Sequence, residues 1–181
     1  MKKILETERL ILRPFRESDA HDMFYGWTND PEVTKYLTWN THQTIEETQY
    51  VLDMWVKEYE DPKRINFAIE LKDGNRLIGG TDVVGYEKGS PVIGYNLSRQ
   101  YWNKGYMTEA CKCVLEYLFS IGYSRVIIEA DVDNTGSNKV IQKCGGVLYD
   151  TCEKYVPMKD KTVLVNKYSV EPALPFQSSG A

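Results

Sequence analysis

The 181-residue sequence has only two histidines and four cysteines, and no two cysteines stand in a Cys-x-x-Cys spacing. His21 and His42 complete no zinc pattern with Cys111, Cys113, Cys144 or Cys152, so no metal is expected and the thiols are read as reduced and mostly buried. There is also no apolar run of about 18 residues, the length a membrane-crossing helix needs. The opening Met-Lys-Lys-Ile-Leu-Glu-Thr-Glu-Arg9 turns charged before any export segment can form. No membrane partner and a cytoplasmic location follow as expectations. Basic residues are scattered, 22 against 26 acidic. That balance speaks against nucleic acid as a partner and is compatible with a cationic amine. Repeats, low-complexity blocks and linkers are absent. The length suits one domain, residues 1–170, followed by a loose tail, 171–181, that carries Pro172, Pro175 and a closing Ser-Ser-Gly-Ala.

What the sequence does contain is organised around Gln100-Tyr-Trp-Asn-Lys-Gly-Tyr-Met-Thr-Glu-Ala110. Before it, Pro91-Val-Ile-Gly-Tyr-Asn-Leu-Ser98 reads as a strand, because Ile93, Tyr95 and Leu97 alternate with smaller or polar residues. After it, Met107, Cys111, Val114, Leu115 and Leu118 share one helical face, and Gly122 stands at the C-terminal cap position. A turn opening into a helix leaves the first backbone N–H groups without carbonyl partners, with the positive end of the helix dipole behind them. That is an anion site. Gly105 permits close backbone approach, and Lys104 and Arg99 add positive charge. A capped helix start without a ligand is the plain alternative.

The other elements follow from pattern. A strand runs from Leu10 to Arg13 and Pro14 ends it; Ser18 caps a helix to about Trp27; Pro31 opens a short helix; and 37–43 is loop. Thr44 and Glu47 form a capping box for a helix whose face carries Thr48, Leu52, Trp55, Val56 and Tyr59. Strands over 65–71 and 77–86 are joined by a hairpin turn. A buried strand follows over 125–131, then a helix capped by Asn134-Thr-Gly-Ser137 and stopped by Gly145-Gly146, then a closing hairpin of 147–155 with 161–169. This order predicts an α/β fold with a mixed sheet.

Gln100-Tyr-Trp-Asn-Lys-Gly105 resembles Gln/Arg-x-x-Gly-x-Gly/Ala, the CoA-binding signature of the GNAT superfamily of N-acetyltransferases, at its first and last fixed positions. Asn103 replaces the first glycine, and asparagine tolerates left-handed backbone angles better than other non-glycine residues. Gly105-Tyr-Met-Thr-Glu-Ala110 resembles the pyrophosphate-binding helix of the ribosomal-protein N-acetyltransferase (RimJ/RimL-like) branch, and Thr7-Glu-Arg-Leu-Ile-Leu-Arg-Pro14 resembles its first strand. The resemblance implies the GNAT fold: about seven mostly antiparallel strands with helices on both faces. It implies an enzyme that moves an acetyl group from acetyl-CoA directly to a primary amine, on a peptide N-terminus, a polyamine or an aminoglycoside-like molecule. A non-catalytic acyl-CoA-binding regulator is the alternative, and it would keep the 100–108 loop while dispensing with Glu129. An exposed C-terminal strand and tail offer a contact for a homodimer.

The resemblance also implies roles. Leu97, Ser98 and Arg99 lie on a strand that splays from its neighbour, so that backbone groups bond the pantetheine arm and the Leu97 N–H polarises the acetyl carbonyl. Gln100, Asn103, Lys104, Gly105, Tyr106, Met107 and Thr108 form the phosphate loop. Asn134 and Ser137 fall on the branch's Asn-x-x-Ser, the first bonding pantetheine and the second lying at the sulfur; a helix cap and a first-turn serine explain them equally. Many superfamily members place an acidic tyrosine seven residues after this asparagine. Here that position is Ile141, which leaves Ser137 or water. Lys139 is either near the ribose phosphate or a solvated helix charge. Glu129 shares a strand face with Ile127 and Asp131, is expected among apolar neighbours, and is assigned as general base; pairing to a lysine or arginine is its alternative. The early helices would form an acceptor wall, with Trp39 and His42 as substrate contacts and Trp55 as core. Cys144 has no neighbour to activate it and is read as core.

Overall fold

Alternating apolar residues lay down eight strands in the structure, a computed structural model that describes residues 3–172. They are β1 (Leu5–Glu6), β2 (Leu10–Arg13), β3 (Asn66–Leu71), β4 (Leu77–Glu87), β5 (Ser90–Leu97), β6 (Val126–Asp131), β7 (Val147–Val156) and β8 (Lys161–Val170). Across the sheet the order is β1-β2-β3-β4-β5-β6-β8-β7, and every neighbouring pair is antiparallel except β5 with β6. The α-helices are α1 (Ala20–Met23), α2 (Pro31–Thr34), α3 (Ile45–Glu58), α4 (Tyr106–Ser120) and α5 (Thr135–Lys143). The predicted mixed sheet is present with one strand more, because the two residues of β1 are too few to carry a pattern.

Neighbouring residues of one strand point to opposite faces, and β3 shows what lies on each. Phe67 and Ile69 join a core with Leu10, Leu12, Ile93, Ile128, the α4 face and Ile141 of α5. Ala68, between them, joins a second core with Phe15, Met23, Trp27 and Leu52, beneath α1 and α3. Helices therefore cover both faces. The predicted α4 face of Met107, Cys111, Val114, Leu115 and Leu118 is buried throughout. Trp55 packs against the second core, its ring 5.1 Å from that of Phe15.

Two local expectations are corrected. Ser18 is not the first helix's cap: a 3₁₀ turn over Glu17–Asp19 leads into α1, and the Asp19 carboxylate accepts the Arg16 N–H at 2.8 Å. The same carboxylate takes two bonds from the buried Arg13 guanidinium, at 2.8 and 2.9 Å, while Glu70 takes a third at 2.6 Å. A charged acceptor with a buried partner outcompetes a neutral hydroxyl. The capping box also opens differently. Thr44 accepts the Glu47 N–H at 3.4 Å, but the Glu47 carboxylate takes the N–H of Gln43 rather than that of Thr44.

The closing hairpin has the further consequence that β8 inserts between β6 and β7. The last strand is thus internal and β7 holds the edge, so the dimer contact argued from an exposed final strand has no basis there. Nearly all of the predicted tail, from residue 173 onward, lies outside the described residues.

Candidate active site

The parallel pairing of β5 and β6 is confined to Val92↔Ile127 and Ile93↔Ile128. From Gly94 to Leu97, β5 is paired only with β4. The Ser98 N–H donates to the Ile78 carbonyl at 2.8 Å on the β4 side. Because backbone groups alternate along a strand, the N–H groups of Tyr95 and Leu97 face the gap left by β6. The Leu97 carbonyl is occupied by the indole N–H of Trp102 at 2.7 Å. The Asn96 side-chain oxygen is buried without a partner, and its residue lines the cleft that fills the gap. An orphaned buried acceptor costs about 1–3 kcal/mol, so one at a cleft wall favours an incoming donor. The cleft encloses about 510 Å³.

The loop expected to bind phosphate forms the next wall. The first bond of α4 runs from the Glu109 N–H to the Gly105 carbonyl at 3.0 Å, and no side chain caps the helix. The N–H groups of Tyr106, Met107 and Thr108 are therefore left over, and all three residues line the cleft. Asn103 and Gly105 take φ of +60° and +81°, so asparagine holds the left-handed conformation where a glycine was replaced.

A brace from the other end of the chain holds this loop. Glu109 accepts from the Thr7 hydroxyl at 2.5 Å, the Arg9 N–H at 2.9 Å and the Arg9 Nε at 2.7 Å. Arg9 also donates to the Lys104 carbonyl at 3.1 Å and lies 4.2 Å from the Tyr106 ring. Burial works to raise the Glu109 carboxyl, but the bonds from Thr7 and Arg9 outweigh it and hold the group below its ordinary value. The Thr7–Pro14 segment is visible in sequence only as a pattern; its grip on α4 is not. Arg99 does not add free charge here, since its Nε bonds Asp30 at 3.0 Å. Lys104 lies 5.6 Å from the Tyr101 ring. Neither lines the cleft, nor do Ser98 and Gln100.

The third wall is the start of α5. The Asn134 side chain accepts the Ser137 N–H at 3.0 Å, and the Ser137 hydroxyl lies 2.9 Å from the Tyr95 phenol oxygen. Burial pushes the Tyr95 phenol well above its ordinary value. Asn138 anchors the helix: its amide donates to the carbonyls of Asp131 and Asn134 at 2.9 and 2.8 Å, and its oxygen accepts from Asn166 and Tyr168 at 3.0 and 2.7 Å. Tyr95, Asn96 and Asn138 had no assigned role in sequence. Tyr95 could have been found, since alternation puts it on the face of Leu97. Leu97, Asn103, Gly105, Tyr106, Met107, Thr108, Asn134, Ser137 and Lys139 thus meet in one cleft. Cys144 is buried and donates to the Thr108 carbonyl at 3.7 Å, and all four cysteines are free.

Glu129, Trp39 and His42 do not line it. Glu129 projects to the face opposite Ile128 and Ala130, as alternation requires, but its neighbours are not apolar. Lys154 Nζ lies 2.5 Å from it and Lys167 Nζ 3.8 Å. Lys167 stands directly across from it on β8, a register no reading of β6 alone supplies. The bond to Glu87 outweighs the effect of burial and holds the Lys167 ammonium above its ordinary value, with Glu129 adding only the smallest contribution. The His42 N–H bonds the Thr28 carbonyl at 2.8 Å, and its Nδ1 is 2.8 Å from the Thr48 hydroxyl. Burial pushes the imidazole down from 6.5. Trp39 lies 5.2 Å from His42, ring to ring. The loop they secure presents Tyr36 and Leu37 to the cleft, beside Val33 of α2. That loop is tied to the β7–β8 turn by Lys159 Nζ to the Thr34 carbonyl at 2.6 Å and Asn40 Nδ2 to the Met158 carbonyl at 2.7 Å.

A sheet half-opened along one strand, with an uncapped helix start at the far end of the same cleft, defines a site for a long, anionic acyl carrier, and so an acyltransferase. Residues 9–147 match the family model described as Acetyltransferase (GNAT) domain, and the chain belongs to that family. It is an acetyl-CoA-dependent N-acetyltransferase. The chain is 31% identical over 173 residues to the uncharacterised N-acetyltransferase YoaA of Bacillus subtilis, covering 94% of this chain and 97% of that protein. The crystal structure of a GNAT-family acetyltransferase from Bacillus anthracis superposes with a TM-score of 0.81 at 26% identity, over 93% of this chain and 98% of the other. RimL, named as the α-N-protein acetyltransferase of ribosomal L7/L12 and solved in complex with coenzyme A, shares the fold with a TM-score of 0.80 at 20% identity, over 93% and 98%.

Proposed function

We propose that the protein transfers an acetyl group from acetyl-CoA directly to a primary amine, with the α-amino group of a polypeptide or a small cationic amine as acceptor. The observation that carries this is one cleft with unpaired strand N–H groups at one end and the leftover N–H groups of α4 at the other. The α-N-protein activity named for RimL supports the polypeptide acceptor; the net charge of −4 is compatible with a cationic one.

Acetyl-CoA supplies an activated thioester carbonyl when bound. The Leu97 N–H donates to the carbonyl oxygen as charge develops there, a contribution that in comparable sites is worth about 10²–10³ in kcat. Tyr106, Met107 and Thr108 hold the pyrophosphate through their N–H groups, with Lys139 adding charge and Asn134 bonding the carrier arm. Ser137 faces the departing sulfur. Glu129, on the opposite face of β6, takes the proton of the amine through water, oriented by Lys154 and Lys167. The acceptor enters along Tyr36 and Leu37, with Trp39 and His42 behind them setting the loop.

Release of the CoA thiol is measured with acetyl-CoA and a panel of N-terminal peptides, polyamines, aminoglycosides and amino acids. Release with peptides or with cationic amines identifies the acceptor. Release with neither overturns this assignment.

A further inference from the structure

Tyr95 stands on β5 in the opened gap, and its phenol oxygen reaches across to α5. The Ser137 hydroxyl is 2.9 Å away and the Ser137 carbonyl 3.4 Å. Both residues line the cleft. Distance alone leaves the direction of this hydroxyl pair open, but chemistry does not. A phenol is the more acidic hydroxyl and the better donor, and an aliphatic hydroxyl is the better acceptor.

We infer that Tyr95 is a positioning residue for the leaving sulfur: its phenol donates to Ser137 Oγ and so turns the Ser137 hydrogen outward into the cleft. This rests on the reading of Ser137 given above and adds to it the group that fixes where the serine points. The Ser137 N–H is already committed to Asn134 at 3.0 Å, so its backbone is fixed as well as its hydroxyl. With Oγ accepting from Tyr95, the single serine hydrogen is free for a thiolate. Burial keeps the phenol protonated, so it remains a donor throughout the working pH range.

The pair is therefore not a proton relay. In the transfer the amine nitrogen forms a bond to the acetyl carbon, the carbon–sulfur bond breaks, and the sulfur keeps the electron pair. The proton lost is that of the amine, which passes to Glu129 or water. Ser137 and Tyr95 keep theirs, and the serine O–H bonds the anionic sulfur. A hydrogen bond to a charged group is the strong kind, and its loss shows directly in the ionisation of the thiol it serves.

The test uses the intact protein saturated with CoA, and follows thiolate absorbance against pH as a difference from the unliganded protein. The bound thiol should ionise at a lower pH than free CoA. Ser137→Ala should reduce its ionisation constant about tenfold and Tyr95→Phe about threefold or more. The double variant should equal Ser137→Ala, and Ser137→Thr, which keeps the hydroxyl, should stay near wild type. Calorimetric CoA affinity within about twofold for Tyr95→Phe would show that the cleft is intact. A wild-type ionisation in Tyr95→Phe, with Ser137→Ala shifted, overturns the role of Tyr95 alone. Shifts that multiply in the double variant overturn it too. No shift in Ser137→Ala removes the underlying reading of the serine.

Discussion

The two sides of the cleft are made of different materials. The side proposed for the cofactor is mostly backbone: leftover amides of α4, left-handed turns at Asn103 and Gly105, and strand N–H groups bared where β6 departs. The side proposed for the acceptor is held by side chains that meet across the chain. Lys159 reaches Thr34, Asn40 reaches Met158, and Lys154 reaches Glu129. A wall of backbone groups survives most side-chain changes, whereas a wall of side-chain contacts is rebuilt by a few. The same scaffold can thus keep its acyl donor while its acceptor changes, which is why fold alone leaves the acceptor open.

The largest effect should come from Glu129→Gln. If the carboxylate serves as base, kcat at neutral pH should fall about a hundredfold while CoA affinity stays within about twofold. Unchanged turnover would reduce Glu129 to an ion-pair partner. On the other wall, Gly105→Val forces a β-branched residue to a φ of +81° and sets a Cβ 3.4 Å from Arg9, so CoA affinity should fall about tenfold or more. Glu109→Ala, which leaves Thr7 and Arg9 without their acceptor, should weaken CoA binding about fivefold. It would show that the backbone wall depends on one distant side chain. Lys159→Met, which frees the acceptor loop, should raise the acceptor KM about threefold.

The smallest effect concerns His42. Its folded pKa is depressed, so its contribution to stability is complete above the unfolded value of 6.5 and is lost as the pH falls through the folded value. Thermal unfolding of wild type from pH 7 to 5 should therefore show a steeper loss than His42→Asn.

How much was legible in the sequence follows the same division. The strand, loop and helix from Pro91 to Ser120 are specified by residues close together, and the same holds for Pro31 at a helix start and the caps at Thr44 and Asn134, so periodicity, turn chemistry and caps can be read without the fold. The surroundings of Glu129 could not be read, because Lys167 comes beside it only once β8 inserts next to β6. Arg13, read only as the end of the first strand, is buried between Asp19 and Glu70, partners it meets only in three dimensions. Trp39 and His42 were read as substrate contacts from the wall they sit on, yet both support that wall from behind.

The central claim is that acyl-donor binding resides in the backbone-built wall. Calorimetric titration of acetyl-CoA into wild type, Gly105→Val and Lys159→Met tests it most directly. One-to-one binding that Gly105→Val weakens about tenfold and Lys159→Met leaves unchanged is the predicted result. Equal losses in both variants, or no binding by wild type, would contradict it.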